Sequence, residues 1–275
     1  MFAVVGPSAV PSAAPQFASG IDLVEVYASV TDEHGEPVAG LRAGDFRVFE
    51  DGEPQTIAAF AGGEFPLSVA VGLDRSFSMR ARLGDIKGAA RAFVRALRPD
   101  DRALVVAIGS ETEIASPLST DHQAAAAAIE RLDAWGTTPL YDAALAAIDR
   151  IQDAKGRRAL VVVSDGIDRY SRTTATTLIG EARQRDVLVY PIAIGGARPA
   201  VFVELATVTG GRPFFVKDAR ELTAAFDAIG RELRFQYLLG YSPPHKGAPG
   251  EWRSIRVTVE RPNIRVRARD GYVSK

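Results

Sequence analysis

The stretch Leu67-Ser-Val-Ala-Val-Gly-Leu-Asp74-Arg-Ser76-Phe-Ser78 runs from carbon into an acid and two hydroxyls at every second position. A short, almost wholly apolar run of this kind reads as a strand buried on both faces, the pattern of a parallel sheet covered by helices. Three more runs repeat it: Ala103 to Ile108, Ala159 to Val163 and Val187 to Ile194. Segments of helical period lie between them. Ile86, Ala90, Phe93, Val94 and Leu97 recur on one helical face before Pro99, and Thr120 to Gln123 fits a capping box ahead of an alanine run. Further helices are expected at Leu140 to Gln152, Thr174 to Arg185, Ala200 to Thr209 and Ala219 to Arg234, with a short strand at Pro213 to Val216 before the last. Alternating strands and helices predict an α/β fold, a doubly wound, Rossmann-like, mostly parallel sheet.

The period changes on either side. Val24, Val26, Ala28 and Val30 oppose Glu25, Tyr27, Ser29 and Thr31, and Asp51-Gly52 supplies a hairpin turn between Phe46 to Glu50 and Gln55 to Phe60. After Phe235 the alternation returns, with Ile255, Val257 and Val259, then Ile264, Val266 and Ala268. Neither terminal segment has enough strands to bury a face alone. The two are therefore expected to pair into one small β-sandwich, residues 20–62 with 235–275, into which an α/β domain of residues 63–234 is inserted. Residues 1–19, rich in Ala, Pro, Val and Ser, read as a disordered arm or the remnant of a secretory leader.

The 275 residues, 47% hydrophobic and 24% charged, are those of a folded, water-soluble chain. With 33 basic and 34 acidic residues, no overall field points to nucleic acid, and no apolar run is long enough for membrane insertion. The absence of cysteine excludes disulfides, thiolate nucleophiles and thiolate-bound metals. Any partner must be read from a local site.

In an open α/β sheet, polar groups just past the carboxyl ends of the strands line the ligand crevice. Three loops fit: Asp74 to Ser78; Gly136-Thr-Thr138-Pro-Leu-Tyr-Asp-Ala143; and Ser164-Asp165-Gly166. Their candidate donors are two carboxylates, Asp74 and Asp165, and three hydroxyls, Ser76, Ser78 and Thr138. Hard oxygens without His or Cys select Mg²⁺, with Mn²⁺ or Ca²⁺ as alternatives. Neutral hydroxyls leave such an ion electron-poor, so it would attract a carboxylate from outside.

Asp74-x-Ser76-x-Ser78, Thr138 and Asp165 resemble the metal-ion-dependent adhesion site (MIDAS) of von Willebrand factor A domains. The resemblance implies direct metal contacts from Ser76 and Ser78, with Thr138, Asp74 and Asp165 binding directly or through water. Thr137 stands where the family commonly has a second glycine, and the Pro-Leu-Tyr-Asp-Ala that follows selects Thr138 over it. Gly35-Glu-Pro-Val-Ala-Gly-Leu41, Asp45 to Gly52, Tyr237 to Pro244 and Arg265 to Tyr272 are similar to a bacterial, usually exported group of such proteins. The implied function is a non-enzymatic, cation-dependent adhesion or assembly module, extracytoplasmic or secreted, whose protein ligand presents a carboxylate.

Other readings are open to the same residues. Asp, Ser and Thr at these positions also cap helices and close turns, which would make a structural domain with a vestigial site. A Mg²⁺-dependent phosphoryl-transfer enzyme resembling haloacid dehalogenases would need a second acid two residues after Asp74, where Ser76 stands. No Gly-rich phosphate loop or Gly-x-Ser-x-Gly elbow is present. Arg265, Arg267 and Arg269 read as a solvated face or guarded edge. His34, His122 and His245 read as surface residues, Trp135 as packing for the metal loop, and Asp142 as a helix N-terminal acid.

Overall fold

The computed structural model describes residues 23–245 and 247–274; the arm or leader expected at residues 1–19 lies outside them. In chain order the elements are β1 (Val24–Thr31), β2 (Phe46–Glu50), β3 (Glu53–Gln55), β4 (Ile57–Gly63), β5 (Leu67–Asp74), α1 (Leu83–Arg95), β6 (Arg102–Ile108), β7 (Thr112–Ser119), α2 (His122–Glu130), α3 (Leu140–Ile151) and β8 (Arg157–Ser164). They continue with α4 (Ala175–Gln184), β9 (Leu188–Ile194), α5 (Ala200–Thr209), β10 (Phe214–Val216), α6 (Ala219–Arg234), β11 (Gln236–Tyr241), β12 (Trp252–Val259), β13 (Arg265–Arg267) and β14 (Gly271–Val273).

The central sheet has the order β10-β9-β8-β5-β6-β7, parallel except for the edge strand β7. The apolar runs are buried on both faces because alternate residues feed two separate cores. Leu67, Val69, Val71 and Leu73 pack with Ile86 and Phe93 of α1, Ile129 of α2 and Phe226 of α6. Ala70, Leu104 and Val162 pack on the other side with Ile148 of α3, Leu178 of α4 and Leu205 of α5. The chain leaves β5 for β6 on one side and returns to β8 on the other, so strand order reverses beside β5, where such sheets open a crevice.

The terminal segments form two antiparallel sheets, β13-β1-β11-β4 and β14-β12-β2-β3. One apolar cluster joins them, with Val26 and Ala28 of β1, Phe46 and Val48 of β2, Leu239 of β11 and Ile255 of β12. Tyr237 is its hub. The ring lies 5.0 Å from Phe46 and 5.8 Å from Phe60, while the hydroxyl donates to the Val38 carbonyl at 2.8 Å and accepts from the Leu41 amide at 3.1 Å.

Several local expectations change. The Asp51-Gly52 turn has both residues at positive φ, 49° and 87°, as a tight hairpin demands. Its second arm, however, is only Glu53–Gln55; from Ile57 the chain crosses to the other sheet and pairs with β11. Asp121, not Thr120, caps α2, accepting from the Ala124 amide at 2.8 Å. The arginine row is not a solvated face throughout. Arg265 is exposed, but Arg267 meets the buried Glu232 of α6 at 2.5 Å, and Arg269 donates to the Glu25 carbonyl at 2.7 Å. His122 also turns inward, its ring 2.8 Å from the Asp101 carbonyl.

Candidate metal centre

The floor of the site is set by sheet register. Leu73 lies opposite Val163, so the next residues, Asp74 and Ser164, end adjacent strands on the same face, and Ser164 Oγ donates to Asp74 Oδ2 at 2.6 Å. The Ser76 amide donates to Asp74 Oδ1 at 2.9 Å. Asp74 is fully buried. Burial pushes its carboxyl above the ordinary range, hydrogen bonds from Ser164 and Ser76 oppose that, and the charge of Asp165 adds to it. No Lys or Arg among the described residues forms an ion pair with Asp74 or Asp165.

Above the floor, Ser76 Oγ and Ser78 Oγ are 3.1 Å apart, and Ser78 Oγ donates to Asp165 Oδ2 at 2.8 Å. Ser76 and Thr138 are almost wholly buried, Asp165 is half-buried and Ser78 is exposed; the hydrogen bonds join Asp74, Ser76, Ser78 and Asp165, while Thr138 is tied to the third loop through its backbone. Thr138 is buried where Thr137 is half-exposed.

Each pair of loops is tied. The first and second are stitched by the Trp135 amide on the Arg75 carbonyl at 2.7 Å and the Phe77 amide on the Gly136 carbonyl at 3.1 Å. The second and third are joined by the Arg169 amide on the Thr138 carbonyl at 2.7 Å. The first and third meet through Ser78 and Asp165. Two glycines permit the approach. Gly136 has φ 82°, and a Cβ there would lie 2.4 Å from the Ser110 amide nitrogen. Gly166 has φ 78°, and its Cβ would lie 2.2 Å from Pro199 Cγ. Both sit in the left-handed region that favours glycine.

Sequence reasoning left several supports unassigned. Ser164 fixes Asp74 from the neighbouring strand; its place in Ser164-Asp165-Gly166 was the available signal. Asp168 Oδ1 accepts from the Tyr141 amide at 3.1 Å and from Ser171 Oγ at 2.6 Å. Asp142 does more than face a helix dipole. Its two oxygens accept from the Arg172 and Thr173 amides, each at 2.9 Å. Burial opposes its charge, yet the bonds from Thr173 and Arg172 outweigh that and hold the carboxyl below its ordinary range. Trp135 packs as expected, over Gly109 and the Arg75 guanidinium, but 43% of it is exposed.

The donor set fits a small hard cation. Adjacent oxygens of an octahedral shell with metal–oxygen distances of ~2.1 Å stand about 3.0 Å apart, and the Ser76–Ser78 and Ser78–Asp165 separations are 3.1 and 2.8 Å. Among the described residues no three His, Cys, Asp or Glu side chains gather into a metal cluster.

The fold and this loop arrangement define an α/β domain of the open-sheet class with an oxygen-lined crevice. Residues 69–167 match the family model of the von Willebrand factor type A domain. Among solved structures, a von Willebrand factor type A protein from Catenulispora acidiphila superposes with a TM-score of 0.56 at 15% identity, covering 94% of this chain and 76% of that one. The corresponding domain of the type V pili tip protein Mfa5 from Porphyromonas gingivalis superposes at 0.53 and 14% identity, covering 61% and 95%. At these identities the likeness is one of fold. A human protein, calcium-activated chloride channel regulator 4, is 32% identical over 71 residues, 26% of this chain and 7% of that protein's length.

Proposed function

We propose that the chain is a divalent-cation-dependent protein-binding module, non-enzymatic, in which Asp74, Ser76, Ser78, Thr138 and Asp165 hold Mg²⁺, with Mn²⁺ or Ca²⁺ as alternatives. One observation carries this reading: Asp74 is a fully buried acid to which the described residues offer a serine hydroxyl and an amide but no cation.

An uncompensated buried charge is expensive, and a bound cation removes that expense. Once held, Mg²⁺ would supply a positively charged coordination position open to a partner's carboxylate. The chain's own residues do the rest. Ser164 and the Ser76 amide orient Asp74, the neutral hydroxyls of Ser76, Ser78 and Thr138 leave the ion's charge only partly offset, and the exposed Ser78 end gives the partner access. Ser76, where a phosphoryl-transfer enzyme of the haloacid dehalogenase type would need an acid, favours holding a ligand over activating one.

The division into residues 20–62 with 235–275 and 63–234 belongs to the same proposal, as does an extracytoplasmic location. Among the described residues no helix is long and apolar enough to cross a membrane. Calorimetric titration of Mg²⁺ into chelator-treated protein tests the reading. Binding that Asp74→Ala abolishes is the expected result; no heat from the unmodified protein, with Mn²⁺ and Ca²⁺ equally silent, would leave a structural domain.

A further inference from the structure

Five large apolar side chains among the described residues stand exposed, and four of them lie in the three site loops or in the chain directly flanking them: Phe77 at 57%, Trp135 at 43%, Ile167 at 48% and Tyr170 at 82%. Phe77 lies between Ser76 and Ser78. Trp135 adjoins Gly136 and bonds through its amide to loop one. The Ile167 amide donates to Asp165 Oδ1 at 2.9 Å. Tyr170 follows Arg169, whose amide holds the Thr138 carbonyl.

Tyr170 is also held at φ 71°, a conformation uncommon for a bulky side chain. The bonds of Asp142 and Asp168 to the surrounding backbone keep its loop in place. Rigid aromatic side chains bind with little loss of conformational freedom. The same loops carry Arg80, Arg82, Arg169 and Arg172, all exposed and without an ion pair among the described residues. Of their acids other than the metal set, Asp142 and Asp168 are engaged by backbone amides, and Asp133 stands exposed.

We propose that the partner is a protein segment that sets an apolar, preferably aromatic, side chain beside its metal-binding acid and carries further acids around it. The apolar side chain seats among Phe77, Trp135, Ile167 and Tyr170, and the flanking acids meet the four arginines. This rests on the cation-dependent reading above and names the chemistry that the partner must add to a carboxylate.

The probe is a phage-displayed library of random dodecapeptides, panned on the full chain in Mg²⁺ and eluted with EDTA. Enriched peptides should pair an acid with a neighbouring Trp, Phe or Leu. The Phe77→Ser/Tyr170→Ser variant should bind a selected peptide at least about tenfold more weakly, with an unchanged thermal midpoint and Mg²⁺ titration. Acids enriched without apolar neighbours, or equal peptide affinity in the variant, would overturn the rim while leaving the metal site standing. A silent Mg²⁺ titration of the parent chain would remove the underlying reading instead. EDTA-insensitive binding to phosphatidylglycerol vesicles, lost in the variant and with no peptide enrichment, would overturn the proposal in favour of a lipid surface.

Discussion

Glu50 and Asp74 are both carboxylates that the fold takes out of water, at 1% and 0% exposure, and their surroundings differ in kind. Around Glu50 the sandwich gathers the Arg253 guanidinium at 2.6 Å and the Tyr241 and Tyr272 hydroxyls at 2.6 and 3.1 Å. That acid has its countercharge and three donors within its own chain. Asp74 has a serine hydroxyl and an amide, and the charge of Asp165, which acts on it, is of the same sign. A buried acid complete in itself holds a fold together; on the reading proposed above, Asp74 instead takes its countercharge from a bound cation.

Removing the two acids should therefore have opposite consequences. Glu50→Leu leaves the Arg253 guanidinium with Asp51 alone and takes the acceptor from the buried Tyr241 and half-buried Tyr272 hydroxyls, and should destabilise the chain by about 3 kcal/mol in urea denaturation. A loss under about 1 kcal/mol would show that Glu50 is not the closed counterpart described here. Asp74→Asn should leave chelator-treated protein as stable as the parent or slightly more so. Mg²⁺ at a hundredfold excess over its dissociation constant should stabilise the parent by about 2.7 kcal/mol and this variant hardly at all. Equal stabilisation of both would place the ion elsewhere.

The residue types of the site were legible in the sequence because they follow apolar runs that can only be buried strands. Their convergence was expected only through the family resemblance, since local pattern does not record which strands are neighbours. Asp74 meets Ser164 through pairing between residues 90 positions apart, and no local period records that. The same limit hid β7, whose Thr-Glu-Ile-Ala-Ser-Pro-Leu-Ser lacks a clean alternation because it is an edge strand with an irregular register against β6. It also hid the crossing at Ile57, where a single run of strand-like residues serves two sheets. By contrast α5 and α6 have the expected bounds, Ala200–Thr209 and Ala219–Arg234, since a Gly after the first and an Asp cap before the second are local signals.

The contrast also depends on the open site being built before any ion binds. Gly136→Ala tests that. The left-handed φ costs an alanine about 1–2 kcal/mol, and the new Cβ would crowd the Ser110 amide at 2.4 Å. The expected result is a loss of about 1–2 kcal/mol in stability together with weaker Mg²⁺ binding, because the shift is passed to Phe77 through its bond to the Gly136 carbonyl. Lower stability with unchanged Mg²⁺ affinity would separate the loop's fold from the cradle.

The smallest effect concerns the tether of the third loop. Asp142 has a carboxyl held below its ordinary value of 3.8 in the folded chain, so the folded state binds the proton less readily than the unfolded one. Its contribution is present in full above that ordinary value and is lost as pH falls through the folded one. Because the group is half-exposed and screened, the global change should stay below about 1 kcal/mol. Locally it should be visible: hydrogen exchange at the Arg172 and Thr173 amides, corrected for the intrinsic pH dependence, should lose protection as pH drops below 3.8. Asp142→Asn retains one acceptor oxygen in place of two, and should show that loss already at neutral pH. Protection that is independent of pH in the parent would mean that the backbone bonds of loop three, and not Asp142, hold Tyr170 where it stands.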